Sequence, residues 1–159
     1  GADPGGVWVQ ACAASALTAI ARARARFVSR GDRSGTHAKE LALWRQAGVQ
    51  PAGGWYLESG QGMGATLQIA NELQAYTLTD IGTFLGHRYP LELAIVLEGD
   101  SALFNPYHVM LVNPERFTWV DIEGARKLKN FLLSAETQAA IGEFRRAEFG
   151  RALFVPARP

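Results

Sequence analysis

The feature that most constrains this chain is the run from Phe27 to Ala47. A short strand-forming triplet, Phe27-Val28-Ser29, passes through the polar turn Arg30-Gly31-Asp32-Arg33-Ser34-Gly35 into a helical segment, Thr36 to Ala47. A strand that hands directly to a helix opens a βα unit, and repeated βα units build a parallel sheet covered by helices. The rest of the chain repeats the alternation. An alanine-rich helix is expected at Ala11–Ala25, a strand at Trp55–Leu57, a helix at Ala65–Leu73, a short strand at Ala75–Leu78 and a short capped helix at Ile81–Leu85. Leu91–Leu97 and Tyr107–Val112 read as the clearest β runs, Ile122–Leu133 and Glu136–Phe144 as the closing helices. In Thr36–Ala47 the expected apolar stripe is Leu41 and Trp44, widened by Leu43.

Composition excludes several classes. Sixteen basic against fifteen acidic side chains leave a net charge of +1, which gives no footing for nucleic-acid binding. A single cysteine, Cys12, rules out an internal disulfide framework or a multi-cysteine metal centre. His37, His87 and His108 do not fall at metal-ligand spacing, so no metal ligand is assigned. Catalytic residues are not assigned either. Ser34 lies in Asp32-Arg33-Ser34-Gly35 without a nucleophile elbow, the Gly-Lys-Ser/Thr phosphate loop is absent, and Cys12 sits among alanines.

The chemistry that remains is anion binding at the turn. The first amides of a helix have no intrahelical partner, and the macrodipole makes that end partly positive. Arg30 would add a charge-assisted fork, Ser34 and Thr36 hydroxyls, and Gly35 room for close approach to the main chain. Asp32, acceptor-only when ionised, is expected to hold the loop by accepting from Arg30 or nearby amides and to point away from a ligand. The competing reading is an ordinary helix with Ser34 as its cap. A second glycine-rich turn, Gly60-Gln61-Gly62-Met63-Gly64, offers Gly62, Gly64 and Thr66, and a strand end offers Tyr76, as outer-layer or cleft residues.

The segments Phe27-Val28-Ser29-Arg30-Gly31-Asp32, Ser34-Gly35-Thr36-His37, Lys39-Glu40-Leu41, Gly60–Gly64, Thr66-Leu67, Ala75–Asp80, Glu98-Gly99-Asp100 and Phe104-Asn105-Pro106-Tyr107 occur in this order. Together they resemble the periplasmic tungstate-binding proteins of bacterial ABC uptake systems. The shorter Arg-x-Asp-x-Ser-Gly-Thr core is shared with phosphate-binding proteins of the same superfamily. The resemblance implies an α/β, type II periplasmic-binding-protein-like lobe, with a mostly parallel sheet flanked by helices and the first lobe largely missing.

On that reading, residues 1–26 form an N-terminal helix and connection, 27–105 the second-lobe domain with the oxyanion loop, and 106–159 a crossover strand with helices that would pack on the first lobe. The family's Arg and Thr ligands fall on Arg30 and Thr36, with Ser34 and Gly35 beside them. The implied ligand is tungstate or molybdate, with no cofactor. The implied partner is an ABC permease, and the implied location is periplasmic or tethered outside the cytoplasm. The apolar faces of the helices after Asp121 are expected to be covered either by a rearranged C-terminal segment or by a homo-oligomer in place of the missing first lobe. Phosphate or another oxyanion, and a sensor or interaction module without transport, are the alternatives.

Overall fold

The computed structural model describes residues 3–157. They form two compact units that divide after Phe104.

In residues 3–104 the parallel pairing expected of βα units is present. β1 (Phe27–Ser29) pairs with β2 (Tyr56–Glu58), in register Phe27 with Tyr56, Val28 with Leu57 and Ser29 with Glu58. On the other side of β1 the Ala75–Leu78 segment makes a single parallel bridge, Phe27 with Tyr76, rather than a strand. Its backbone bonds are Val28 N to Tyr76 O (2.8 Å) and Tyr76 N to Arg26 O (2.9 Å). Thr77 reinforces them by donating its hydroxyl to Val28 O at 2.7 Å.

Four helices surround this pair: α1 (Ala13–Ala23), α2 (Gly35–Gln46), α3 (Met63–Leu73) and α4 (Ile81–Leu85). In α1 the buried residues Ala13, Ala16, Leu17 and Ile20 recur at helical spacing and form one face. Its first amide, Ala13 N, donates to Asp100 Oδ2 at 2.6 Å, a carboxylate placed at the positive end of the helix. The α2 stripe differs from expectation: His37, Glu40, Leu43 and Trp44 are buried, whereas Leu41 is 39% exposed. The stripe is turned because Glu40 has three hydrogen-bond donors waiting inside.

The core centres on aromatic rings. Phe27 meets Trp44 edge-on at 5.1 Å and stacks on Tyr56 at 6.0 Å, and Trp44 meets Trp55 at 5.8 Å. Each large apolar side chain buried in this way stabilises the fold by about 1.5–3 kcal/mol. Leu91–Leu97 is not a strand: among the described residues it makes no backbone–backbone hydrogen bond. A β run becomes a strand only when a neighbouring edge receives its amides and carbonyls, and among the described residues none does so here. The segment instead borders an apolar cavity of about 350 Å³, also lined by Leu17, Ile20, Phe27, Leu78 and Phe84.

Residues 105–157 hold α5 (Ile122–Leu132), α6 (Ala135–Glu143) and α7 (Arg146–Phe149). Asp121 caps α5 by accepting Gly124 N at 2.9 Å, and Ser134 caps α6 by accepting Thr137 N at 3.2 Å. Phe154 packs near Tyr107 and Phe144, with ring centres 6.2 and 6.3 Å apart. Tyr107–Val112, the second expected β run, also makes no backbone–backbone hydrogen bond among the described residues, for the same reason. Apart from Gly142, no described residue of this unit is buried.

Candidate functional site

The turn between β1 and α2 is built by local polar contacts. Gly31 adopts φ +60°, and its amide donates to Ser29 Oγ at 3.3 Å. Asp32 Oδ1 accepts Ser34 N at 3.1 Å, a carboxylate-closed turn two residues long. Arg33 also stands at φ +60°, a conformation that costs a non-glycine residue about 1 kcal/mol or more. Its amide is compensated by donating to His37 Nδ1 at 3.1 Å. Ser34 then caps α2, its hydroxyl oxygen accepting His37 N at 3.3 Å.

The electrostatics follow from Arg30. Its Nη2 is ion-paired with Asp32 Oδ2, and its Nη1 donates to Thr36 Oγ1 at 3.4 Å. Arg30 Nε is buried and has no hydrogen-bond partner among the described residues. Hydrogen bonds from Ser34 and the neighbouring Arg30 guanidinium lower the Asp32 carboxyl to about 2, so it is ionised at neutral pH. Because Thr36 Oγ1 accepts from Arg30, its own proton is free to donate. The amides of Gly35 and Thr36 open α2 and have no carbonyl four residues back within the helix. A Cβ built on Gly35 meets nothing within 4 Å, so the main chain is open to close approach. This set of donors suits an anion that only accepts hydrogen bonds.

Hydrogen bonds therefore bring together Arg30, Asp32 and Thr36, and through Asp32 also Ser34, with Gly35 in the same turn. Of the outer-layer candidates, Thr66 reaches the turn through Ser59, whereas among the described residues no hydrogen bond ties Gly62, Gly64 or Tyr76 to it. Gly62 is the N-cap of α3 and Gly64 lies in its first turn, both beside open space. Thr66 is fully buried, its hydroxyl bonded to Ser59 Oγ (2.8 Å) and to the carbonyls of Gln61 and Gly62. Tyr76 is engaged by the N-terminal segment: its hydroxyl accepts Gly5 N at 2.9 Å and donates to Asp3 Oδ1.

Sequence reasoning passed over Ser29, Ser59 and Glu40. Ser59 donates to Arg30 O at 3.2 Å while sharing a hydrogen bond with Thr66. Its signal was available in the register, since Ser29 pairs with Glu58 and the next residues along are Arg30 and Ser59. Glu40 showed itself as a carboxylate in helical phase with Leu43 and Trp44. Among the described residues no cluster of three His, Cys, Asp or Glu side chains could hold a metal ion, and no helix is long and apolar enough to cross a membrane. None of the residues Arg30 to Thr36 lines the apolar cavity.

Comparison with known proteins follows the same line. The tungstate-binding protein TupA of Peptoclostridium acidaminophilum is 45% identical over 141 residues, which is 89% of this chain and 49% of that protein. TupA of Campylobacter jejuni is 38% identical over 134 residues, 81% of this chain and 50% of that protein. The chain spans about half the length of the curated relatives it matches. Among solved structures, the tungstate ABC transporter from Geobacter sulfurreducens superposes with a TM-score of 0.79 at 45% identity, over 89% of this chain and 60% of that one. TupA from Desulfovibrio alaskensis G20 gives 0.77 at 39% identity, over 99% and 64%. Residues 5–136 match the PBP superfamily domain, and with its α/β parallel architecture the chain belongs to that family.

Proposed function

We propose that this chain is part of the solute-binding component of a tungstate or molybdate ABC uptake system, taking the oxyanion at the turn that opens α2. The observation that carries the reading is the buried, unpartnered Arg30 Nε, in the same turn as the free Thr36 hydroxyl proton and the first amides of α2. A buried donor left without an acceptor costs about 1–3 kcal/mol, and an anion seated there would recover it. Ser34 and Gly35 complete the set, and donors from the first lobe would close it. The ligand needs no cofactor, and the role is binding, not turnover. The partner on this reading is an ABC permease, and the place of work is outside the cytoplasm.

Asp32 bears on selectivity. Monohydrogen phosphate carries a proton that needs an acceptor in its site, whereas tungstate and molybdate at neutral pH need only donors. Each Asp32 oxygen already accepts one hydrogen bond, from Arg30 and from Ser34 N, which supports a carboxylate tied into the loop and turned from the ligand, and so the fully ionised anions. Calorimetric titration with tungstate, molybdate, sulfate and phosphate is the test. Binding of tungstate or molybdate with at most weak phosphate binding is expected. Preferential phosphate binding, or no binding of any of the four, overturns the proposal.

Self-association is the second partnership in this reading. Leu128, Phe131 and Leu133 stand 58%, 63% and 51% exposed, and clustered apolar side chains of that kind mark contact surfaces. Light scattering is expected to show more than a monomer, and a strictly monomeric chain would remove this part.

A further inference from the structure

Glu40 is 2% exposed, yet no Lys, Arg or His among the described residues pairs with it. Three neutral groups hold it instead. Ser29 Oγ donates to Oε2 at 2.7 Å, Tyr56 OH to Oε1 at 2.8 Å, and Trp44 Nε1 to Oε1 at 3.1 Å. A sequestered carboxylate is a costlier filling for that place than an apolar side chain, and its chemistry shows what it supplies. Ser29 Oγ donates to Glu40 Oε2, so its single proton is committed to Glu40. The lone pairs of Ser29 Oγ are then turned to receive Gly31 N at 3.3 Å, the residue directly after Arg30.

We propose that Glu40 is a positioning residue of the oxyanion turn, acting through Ser29 to fix Gly31 and so the backbone that carries Arg30. This rests on the oxyanion reading above. It adds a residue that touches no ligand yet sets the geometry of those that do. Glu40→Gln preserves shape but offers one accepting oxygen and an amide in place of two accepting oxygens. The Ser29 hydroxyl then loses its fixed sense, and the Gly31 amide loses its acceptor.

The test combines calorimetry with sodium tungstate and hydrogen exchange at the Gly31 amide, both on the full chain. Glu40→Gln is expected to weaken tungstate binding about tenfold or more, the scale of one hydrogen bond to a charged group, and to speed Gly31 exchange. Trp44→Phe removes a different donor from the same carboxylate. It should lower the unfolding midpoint while leaving affinity and Gly31 exchange near wild type. On a Ser29→Ala background, Glu40→Gln should cost no further affinity. Wild-type affinity and Gly31 exchange in Glu40→Gln overturn the proposal, as does an equal affinity loss in Trp44→Phe, which would mark a general packing effect. Should wild type bind none of the anions, the oxyanion reading fails by itself, and the Gly31 exchange rates still decide whether Glu40 holds the turn.

Discussion

A side-chain carbon on Gly31 would stand 2.8 Å from Glu58 Cβ, closer than real contacts of this kind allow. The end of β2 therefore lies directly against the turn between β1 and α2, and Gly31 at φ +60° is there both for its backbone and for its lack of bulk. Gly31→Ala combines a left-handed residue with an overpacked contact, for an expected loss of about 2–4 kcal/mol. Urea unfolding measures it, and a variant as stable as wild type would show that β2 yields.

Arg30 carries the functional reading. Arg30→Ala is expected to lower oxyanion affinity by about 2–5 kcal/mol, as when one partner of a buried charged pair is truncated. Arg30→Lys should lose much of the same amount, because an ammonium has no Nε–H and cannot reach Asp32, Thr36 and a ligand at once. Calorimetry on both variants checks this, and full affinity in Arg30→Lys would mean that only the charge matters.

The Asp32 carboxyl is lowered to about 2 by hydrogen bonds from Ser34 and by Arg30. A depressed acid adds stability that is fully present above its ordinary value near 4 and is lost as pH falls through about 2. Wild type should therefore lose stability relative to Asp32→Asn between pH 4 and pH 2, with a constant difference between pH 5 and 7. Unfolding midpoints of the two proteins across that range are the measurement. A difference that does not change with pH would show that the pair is not formed.

Burial and the neighbouring Asp3 carboxylate raise the Tyr76 phenol to about 12, so it stays protonated and donates to Asp3. Tyr76→Phe removes that bond and strands Gly5 N, with an expected cost of about 1–2 kcal/mol. Tungstate affinity should be unchanged, because the hydroxyl is committed to the N-terminal segment. A loss of affinity without a loss of stability would return Tyr76 to the binding cleft.

The helices α1 to α6 were legible in the sequence because their signals are local, whereas the single turn α7 was not read. Leu17 and Ile20 mark α1, Ser34 and Asp80 accept at the starts of α2 and α4, and Asp121 and Ser134 do the same for α5 and α6. The β runs Leu91–Leu97 and Tyr107–Val112 were misjudged because apolar patterning reports what a segment would bury, whereas a strand is defined by a partner distant in sequence. The turn itself could be read from Arg30 to Thr36. Its supports were only partly legible: Glu40 stood in helical phase with Leu43 and Trp44, but what Ser29, Glu40 and Ser59 touch is created by the parallel register of β1 and β2 and the rotation of α2.

The hydroxyl of Ser59 is bonded at once to the Arg30 carbonyl and to Thr66 in the first turns of α3. One oxygen thus yokes the glycine-rich loop before α3 to the segment that carries the guanidinium. A tilt of α3, or a substitution among residues 62–66, would pull on Arg30 through that link. Changes there should alter how tightly the anion is gripped without ever touching it.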